Sequence, residues 1–362
     1  MNKLTIITCI FLLTLIFNTS LTATPDKILE KNLTGYDFIV DEKGNGDYTK
    51  IQDAICAASN GETILIKNGI YKENLVISKS IKLIGEDKHK TIIDGGIEPT
   101  FFKKCSTAIK IEKDNVEISN ITIQNATGLS GRGIYVIKNK GRDFTENNTI
   151  TNNIIKNCSY GLMIVKPKNN SVSNNSFYNC AGGFYYPKLP YYQNTFSNNT
   201  ANERLILLLI DKEDMIIEEN YSVIQLLDCK NITIKNISTS HITVGIDVSF
   251  SENITITNCT IKNTNRGGIY VHYSNNCKFI KNTFEDDNWG VFLRGANNNQ
   301  MINNNFLNIT KYDWFGSSYN NRWDGNFWEK ERIFPKVIYG KIGPREKTPW
   351  FNIDWNPSSE IN

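Results

Sequence analysis

The stretch "EDDNWGVFLRG", residues 285–295, gathers side chains able to move protons and hold charge. It carries Asp286, Asp287 and Arg294, and His272 stands at the matching place one repeat earlier. One carboxylate acting as a base, with a guanidinium stabilising the anion that develops, is the chemistry of an eliminating or hydrolysing site. Neighbouring residues on a strand point to opposite faces, so the two aspartates converge only if they lie in a turn. The same residues also fit a solvated face with a polar turn, or a surface that binds sugar without cleaving it.

A repeat decides which side chains share that surface. "GIDVSF", "GIYVHY" and "GVFLRG" begin at Gly245, Gly268 and Gly290. With Ile246/Val248, Ile269/Val271 and Val291/Leu293 pointing inward, one outward column holds Asp247, Tyr270 and Phe292. The other holds Ser249, His272 and Arg294. In earlier repeats the first column continues as Tyr135, Met163 and Tyr185. With Trp289 at the adjoining turn, these aromatic faces and charged donors suit a polysaccharide, which offers apolar ring faces and hydroxyls.

The elements that must hold these columns follow from self-similarity. "NNTITNNIIKNCSYGLMIV" (147–165) and "NNSVSNNSFYNCAGGFYYP" (169–187) match at an offset of 22 residues, and later segments recur at 22 or 23. Each unit holds short alternating strands separated by Asn-rich turns. One unit cannot bury its apolar side alone, so units must stack and share a core. Coils of this length rising by one strand spacing, roughly 4.8 Å, predict an all-β fold, a parallel β-helix. The Leu-x-x-Leu-x-Leu frame of a leucine-rich repeat is absent, and the step is too short for a propeller blade.

The ends depart from the repeat. In "DYTKIQDAICAA", Ile51, Ala54, Ile55 and Ala58 share one helical face, which predicts an amphipathic helix covering the first coil. "RLILLLI" at 204–210 predicts a buried strand. All six tryptophans fall between Trp289 and Trp355, and residues 311–362 read as an irregular Trp-rich cap on a β-helix spanning 37–310.

At the start, Lys3 precedes an apolar run of 14 residues from Leu4 to Phe17, followed by small and polar residues up to Ala23. This is the pattern of a signal peptide over 1–23, followed by a linker over 24–36, with an uncleaved N-terminal anchor as the alternative. No second long apolar stretch exists, so no membrane span is expected after signal removal, and the chain reads as secreted or displayed at the cell surface. The net charge of +3 is spread without a Lys/Arg block, which excludes nucleic acid as an expected partner.

Other constellations carry less. Asp211, Glu213, Asp214, Glu218 and Glu219 offer oxygens for Ca²⁺ but lack a calcium-loop frame. His89, His241 and His272 are dispersed, so copper is not supported, and neither metal nor cofactor is expected. Removing Cys9 leaves seven of the eight cysteines. Cys158 and Cys180 lie 22 apart, so stacking brings them within reach of a disulfide, a reduced core pair being the alternative. Sequons at Asn120, Asn125, Asn231, Asn253 and Asn308 are glycosylation acceptors in form, although Asn-rich turns before β-branched strands produce them too.

Residues 38–96, including "VDEKGNGDYTKIQDAI", resemble the start of pectinesterases and of the wider pectin-lyase-like superfamily. The later units are similar to NosD-type and carbohydrate-binding/sugar-hydrolysis β-helix repeats, and "WFNIDWNP" resembles the ending of prokaryotic surface β-helix proteins. The resemblance implies a right-handed parallel β-helix and a polysaccharide ligand. It also implies glutamines and aspartates in three successive coils after an "ITFQNTAG"-like stretch. Here "ITIQNATG" is present at 121–128, but Arg132, Tyr160, Gly161, Gly182 and Gly183 occupy the places of those residues. Without the carboxylates, pectin methylesterase activity is not expected. The paired-Asp and Gly-His-Gly signatures of polygalacturonases are also missing. Two readings stay open: a glycan-binding or glycan-processing protein (lyase or hydrolase, if an enzyme), and a structural or adhesion protein of the cell surface.

Overall fold

A computed structural model of the chain describes residues 35–96, 106–128, 131–180, 194–264, 267–310, 313–329, 334–343 and 346–362. The segment 1–23, the linker up to 34, and Gly182, Gly183 and Tyr185 lie outside the described residues. The molecule is nearly all β, a right-handed parallel coil of about 12 turns. Among the described residues no helix is long and apolar enough to cross a membrane.

One coil shows the plan. Strands Thr149–Thr151, Ile154–Lys156 and Tyr160–Ile164 follow one another around it. Ser171–Ser173 and Ser176–Tyr178 then repeat the first two one level on, in parallel register, Ile150 against Val172 and Ile155 against Phe177. Alternation turns Ile150, Ile155, Leu162 and Ile164 into a core where each is at most 2 % exposed. The third position carries the longest strands. In the later coils these are Val223–Leu227, Val244–Ser249, Gly267–His272 and Val291–Arg294, stacked in that order.

Asparagine makes the corners in two ways. At the bend after the first strand, residues such as Asn152, Asn174, Asn258 and Asn303 take left-handed φ of 52–56°, which asparagine tolerates better than other side-chain-bearing residues. The next residue turns inward. The Nδ2 groups of Asn282 and Asn304 donate to Asn304 and Asn326, one coil on, across 3.1 and 3.0 Å. Asp354, from the terminal hairpin, ends this ladder by accepting from Asn326 N and Nδ2 and from Trp328 Nε1. Every buried amide in the run thereby keeps a partner.

Glycines open the long strands for a steric reason. A Cβ at Gly268 would stand 2.5 Å from Phe284 Cδ1, and one at Gly290 would stand 2.5 Å from Phe306 Cδ1. The rings fill the space that a side chain would need.

Three sequence expectations change, and one pair of alternatives is decided. The repeat does not stop at 310: Asp313–Gly316, Arg322–Asp324 and Phe327–Trp328 pair in parallel with the preceding coil, Met301 against Trp323 and Phe306 against Trp328. Aromatic residues have replaced aliphatic ones inside, with Trp314, Trp323 and Trp328 each at most 5 % exposed. The end is not irregular either, since Lys336–Ile342 and Thr348–Asp354 form an antiparallel hairpin. "RLILLLI" is a strand, Arg204–Ile210, but only Ile206 is buried: Leu207 and Leu209, in register with Ile224 and Leu226, are partly buried against the core, and Leu205 is exposed. Finally, Cys158 and Cys180 are free buried thiols. Each is held by a backbone carbonyl instead, Cys158 Sγ by Lys156 O at 3.3 Å and Cys180 Sγ by Ile155 O at 3.4 Å.

Near the start, helix Ile51–Ala57 buries Ile51, Ala54 and Ile55 in the same core cluster as Val40, Ile64 and Leu75. Its first N–H groups, on Ile51 and Gln52, donate to the Glu73 carboxylate at 2.9 and 3.0 Å. This satisfies donors that a helix start leaves without intrahelical partners.

Candidate functional site

Register places the outward residues of the long-stranded sheet in two columns. Gln225, Asp247, Tyr270 and Phe292 pair in sequence along one, and Leu227, Ser249, His272 and Arg294 along the other. Their inward neighbours Ile246, Val248, Ile269, Val271, Val291 and Leu293 are fully buried, which fixes the outward direction of the rest.

Four rings gather on this face. Tyr270 stacks on His272 at 5.5 Å and meets Phe292 at 5.2 Å, while Trp289 meets Phe292 at 5.2 Å and Tyr270 edge-on at 6.1 Å. Packing of this kind stabilises the cluster beyond the apolar area it buries. It also closes over Tyr270, which is only 7 % exposed. A ligand arriving from solvent therefore meets Trp289, Phe292 and His272, with Tyr270 as their support. Asp247 lies one rung before and accepts a 2.6 Å bond from Ser249 Oγ.

The two aspartates part company. Asp286 takes a left-handed bend (φ 56°), is exposed, and accepts from Asn308 Nδ2. Asp287 turns inward and is 1 % exposed. Its Oδ1 accepts the Thr264 N–H at 2.7 Å, and its Oδ2 has no partner. Burial, only partly opposed by the Thr264 N–H bond, pushes its acid up to about 7. The expectation of two carboxylates converging beside His272 and Arg294 is thus corrected: they sit in a turn, but the turn sends one inside.

Arg294 has a partner that sequence spacing did not reveal. Its Nε donates to Glu346 Oε1 at 2.9 Å, across 52 residues, from the turn of the terminal hairpin. Gly316, the rung after Arg294, leaves room for that carboxylate, which a Cβ there would meet at 2.7 Å. The charge expected to stabilise an anion is therefore balanced within the chain. Only the long sequence distance hides it.

In the earlier coils the same kind of face carries no carboxylate at the positions where an esterase would need them. Arg132 pairs with Tyr160 in register, its guanidinium lies 4.2 Å over the Tyr135 ring, and its Nε reaches Met163 Sδ at 3.2 Å. The acidic run after 210 does not converge: Asp214 accepts from Asn231, Glu218 pairs with Lys235 and Glu219 accepts from Tyr221. Among the described residues no three His, Cys, Asp or Glu side chains are grouped to hold a metal ion.

The family model for the right handed beta helix region matches residues 80–221 and 222–327. Among curated proteins, the chain is 29 % identical over 128 residues to "Probable pectinesterase 56" of Arabidopsis thaliana, covering 33 % of this chain and 43 % of that one. It is 34 % identical over 112 residues to "Pectinesterase 2" of Citrus sinensis, covering 28 % and 22 %. The chain thus spans less than half the length of these relatives. Among solved structures, the pectin methylesterase from carrot shares 16 % identity over 80 % of this chain and 83 % of its own, with a TM-score of 0.31.

Proposed function

The chain belongs to the right-handed beta helix family, and on that premise we propose that it is a polysaccharide-binding protein, secreted or displayed at the cell surface, that engages its ligand around Trp289 and Phe292. One observation carries the reading: four rings pack together on an outward β-face, with Tyr270 beneath and His272, Trp289 and Phe292 turned to its outer side. Asp247 and the Arg294–Glu346 pair supply hydrogen-bonding groups at its margins. Pyranose rings bind such surfaces by laying their C–H faces on the rings while their hydroxyls meet the polar rim. The names of the pectinesterase relatives make a pectin-type polysaccharide the first ligand to try.

The reading is of binding rather than cleavage. A lyase or hydrolase built from Asp286, Asp287, His272 and Arg294 would use a carboxylate that is turned inside and a guanidinium that Glu346 already engages. The deciding experiment measures polysaccharide affinity of the wild type against Trp289→Ala with Phe292→Ala. A second reading, a rigid surface spacer, draws on the terminal hairpin and the chain beyond it, where Tyr339, Trp350, Phe351 and Trp355 are all exposed. It predicts no glycan binding at all.

A further inference from the structure

The corner that follows each long strand repeats one four-residue plan. Asp228, Phe250, Tyr273 and Gly295 open it at φ of 49–59°, and Asn231, Asn253, Asn276 and Asn298 close it at 52–58°. Between the two bends one residue turns inward and the next, Lys230, Glu252, Asn275 or Asn297, faces out. Stacked over several coils, these corners enclose a groove of about 520 Å³ that runs along the coil axis.

We propose that this groove is a second glycan site, distinct from the ring cluster on the sheet face, and that it takes an extended neutral oligosaccharide. Phe250 and Tyr273 form one wall, stacked at 5.3 Å and nearly parallel at 12°. The Tyr273 ring leans across Gly295, where a Cβ would come within 2.6 Å of it, and Tyr273 remains 55 % exposed. The floor is a ladder of amides. Asn275 Oδ1 accepts the Asn297 N–H at 2.9 Å, and Asn297 Oδ1 accepts the Tyr319 N–H at 2.8 Å. The Nδ2 groups of both take no part in these bonds, and the proposal assigns them to the hydroxyls of the ligand.

The chemistry selects the ligand. The corner backbone is committed between coils, since the N–H groups of Phe250, Tyr273 and Gly295 donate to His272, Arg294 and Gly316. A peptide strand would find no edge to extend. What remains is an aromatic wall and a row of amides repeated at roughly 4.8 Å, which is about the advance of an extended pyranose chain. Asp228 and Glu252 outnumber Lys230 along the groove, so a uronic-acid chain is disfavoured.

Titration calorimetry with neutral hexasaccharides (cellohexaose, xylohexaose, mannohexaose, chitohexaose) and with hexagalacturonate tests the assignment. At least one neutral hexasaccharide is expected to bind, more tightly than its disaccharide. Tyr273→Ala should weaken that binding roughly tenfold, as loss of an aromatic contact does. Tyr273→Trp should retain it, and Ile70→Ala, at an exposed side chain outside both sites, should leave it unchanged. Tyr273 is exposed, so a melting temperature unchanged in Tyr273→Ala separates lost contact from lost fold. The assignment is overturned if no neutral hexasaccharide binds, or if affinity survives Tyr273→Ala. Loss of binding in Trp289→Ala alone would return the ligand to the sheet face.

Discussion

Arg294 Nε and Glu346 Oε1 stand 2.9 Å apart, tying the turn of the terminal hairpin to the edge of the aromatic face. The two side chains are 51 % and 28 % exposed, so solvent screens the pair and its contribution to stability is small. Its effect falls on charge. Glu346→Gln should change stability by less than about 1 kcal/mol yet leave Arg294 with an unbalanced positive charge. Affinity for acidic polysaccharides should then rise relative to neutral ones, and the rise should vanish at high salt. Equal affinity of wild type and Glu346→Gln for hexagalacturonate at low salt would contradict this.

Asp287 makes stability depend on pH. Its folded acid lies at about 7, raised by burial from an ordinary value of 3.8. The folded state therefore holds a proton that the unfolded chain has released between those two values. The contribution of Asp287 is full below about pH 4, falls as pH rises towards 7 and then levels off, a loss of up to about 4 kcal/mol. Asp287→Asn keeps the bond from Thr264 N and removes the titrating group. Its denaturation midpoint should vary less between pH 4 and 7 than that of the wild type; parallel profiles would contradict the assignment.

Asn304 sits in the middle of the inner ladder, accepting from Asn282 N and Nδ2 and donating to Phe279 O and Asn326 Oδ1. Asn304→Ala strands the buried Asn282 N–H and Phe279 carbonyl, while Asn304 N still donates to Asn326 Oδ1, and should cost about 3 kcal/mol, read by urea denaturation. A cost below about 1 kcal/mol would mean that water replaces the ladder.

Thiol reactivity tests the cysteine assignment. Burial pushes Cys158 up to about 11 and Cys180 higher still, whereas Cys56 is exposed. Of the six described cysteines, only Cys56 should react with a thiol reagent in the native state at pH 8, with all six reacting after unfolding in the absence of reductant. Failure of Cys158 and Cys180 to react after unfolding would reveal a disulfide.

The step of 22 or 23 residues and its alternation were enough to read the parallel coil and to assign Asp247, Tyr270 and Phe292 to one column, because stacking turns sequence offset into spatial register. Three things were hidden. Exposure was hidden because Tyr270 is outward yet closed over by Trp289 and Phe292, a property of ring packing rather than of alternation. The direction of Asp287 depends on the bend at Asp286, whose left-handed φ leaves no mark distinct from the asparagines at other corners. The partner of Arg294 comes from the terminal hairpin, where the repeat that supplied the register has ended.

The central claim, that the chain binds polysaccharide on the face of Trp289 and Phe292, is tested most directly by one titration. Pectin-derived and neutral polysaccharides are titrated into the wild type and into Trp289→Ala with Phe292→Ala, each first shown to keep its β circular dichroism spectrum. The account predicts saturable binding by the wild type to at least one polysaccharide and a loss of tenfold or more in the double variant, about 1.4 kcal/mol or more. Equal affinity in the two proteins, or no binding by the wild type to any polysaccharide, would contradict it.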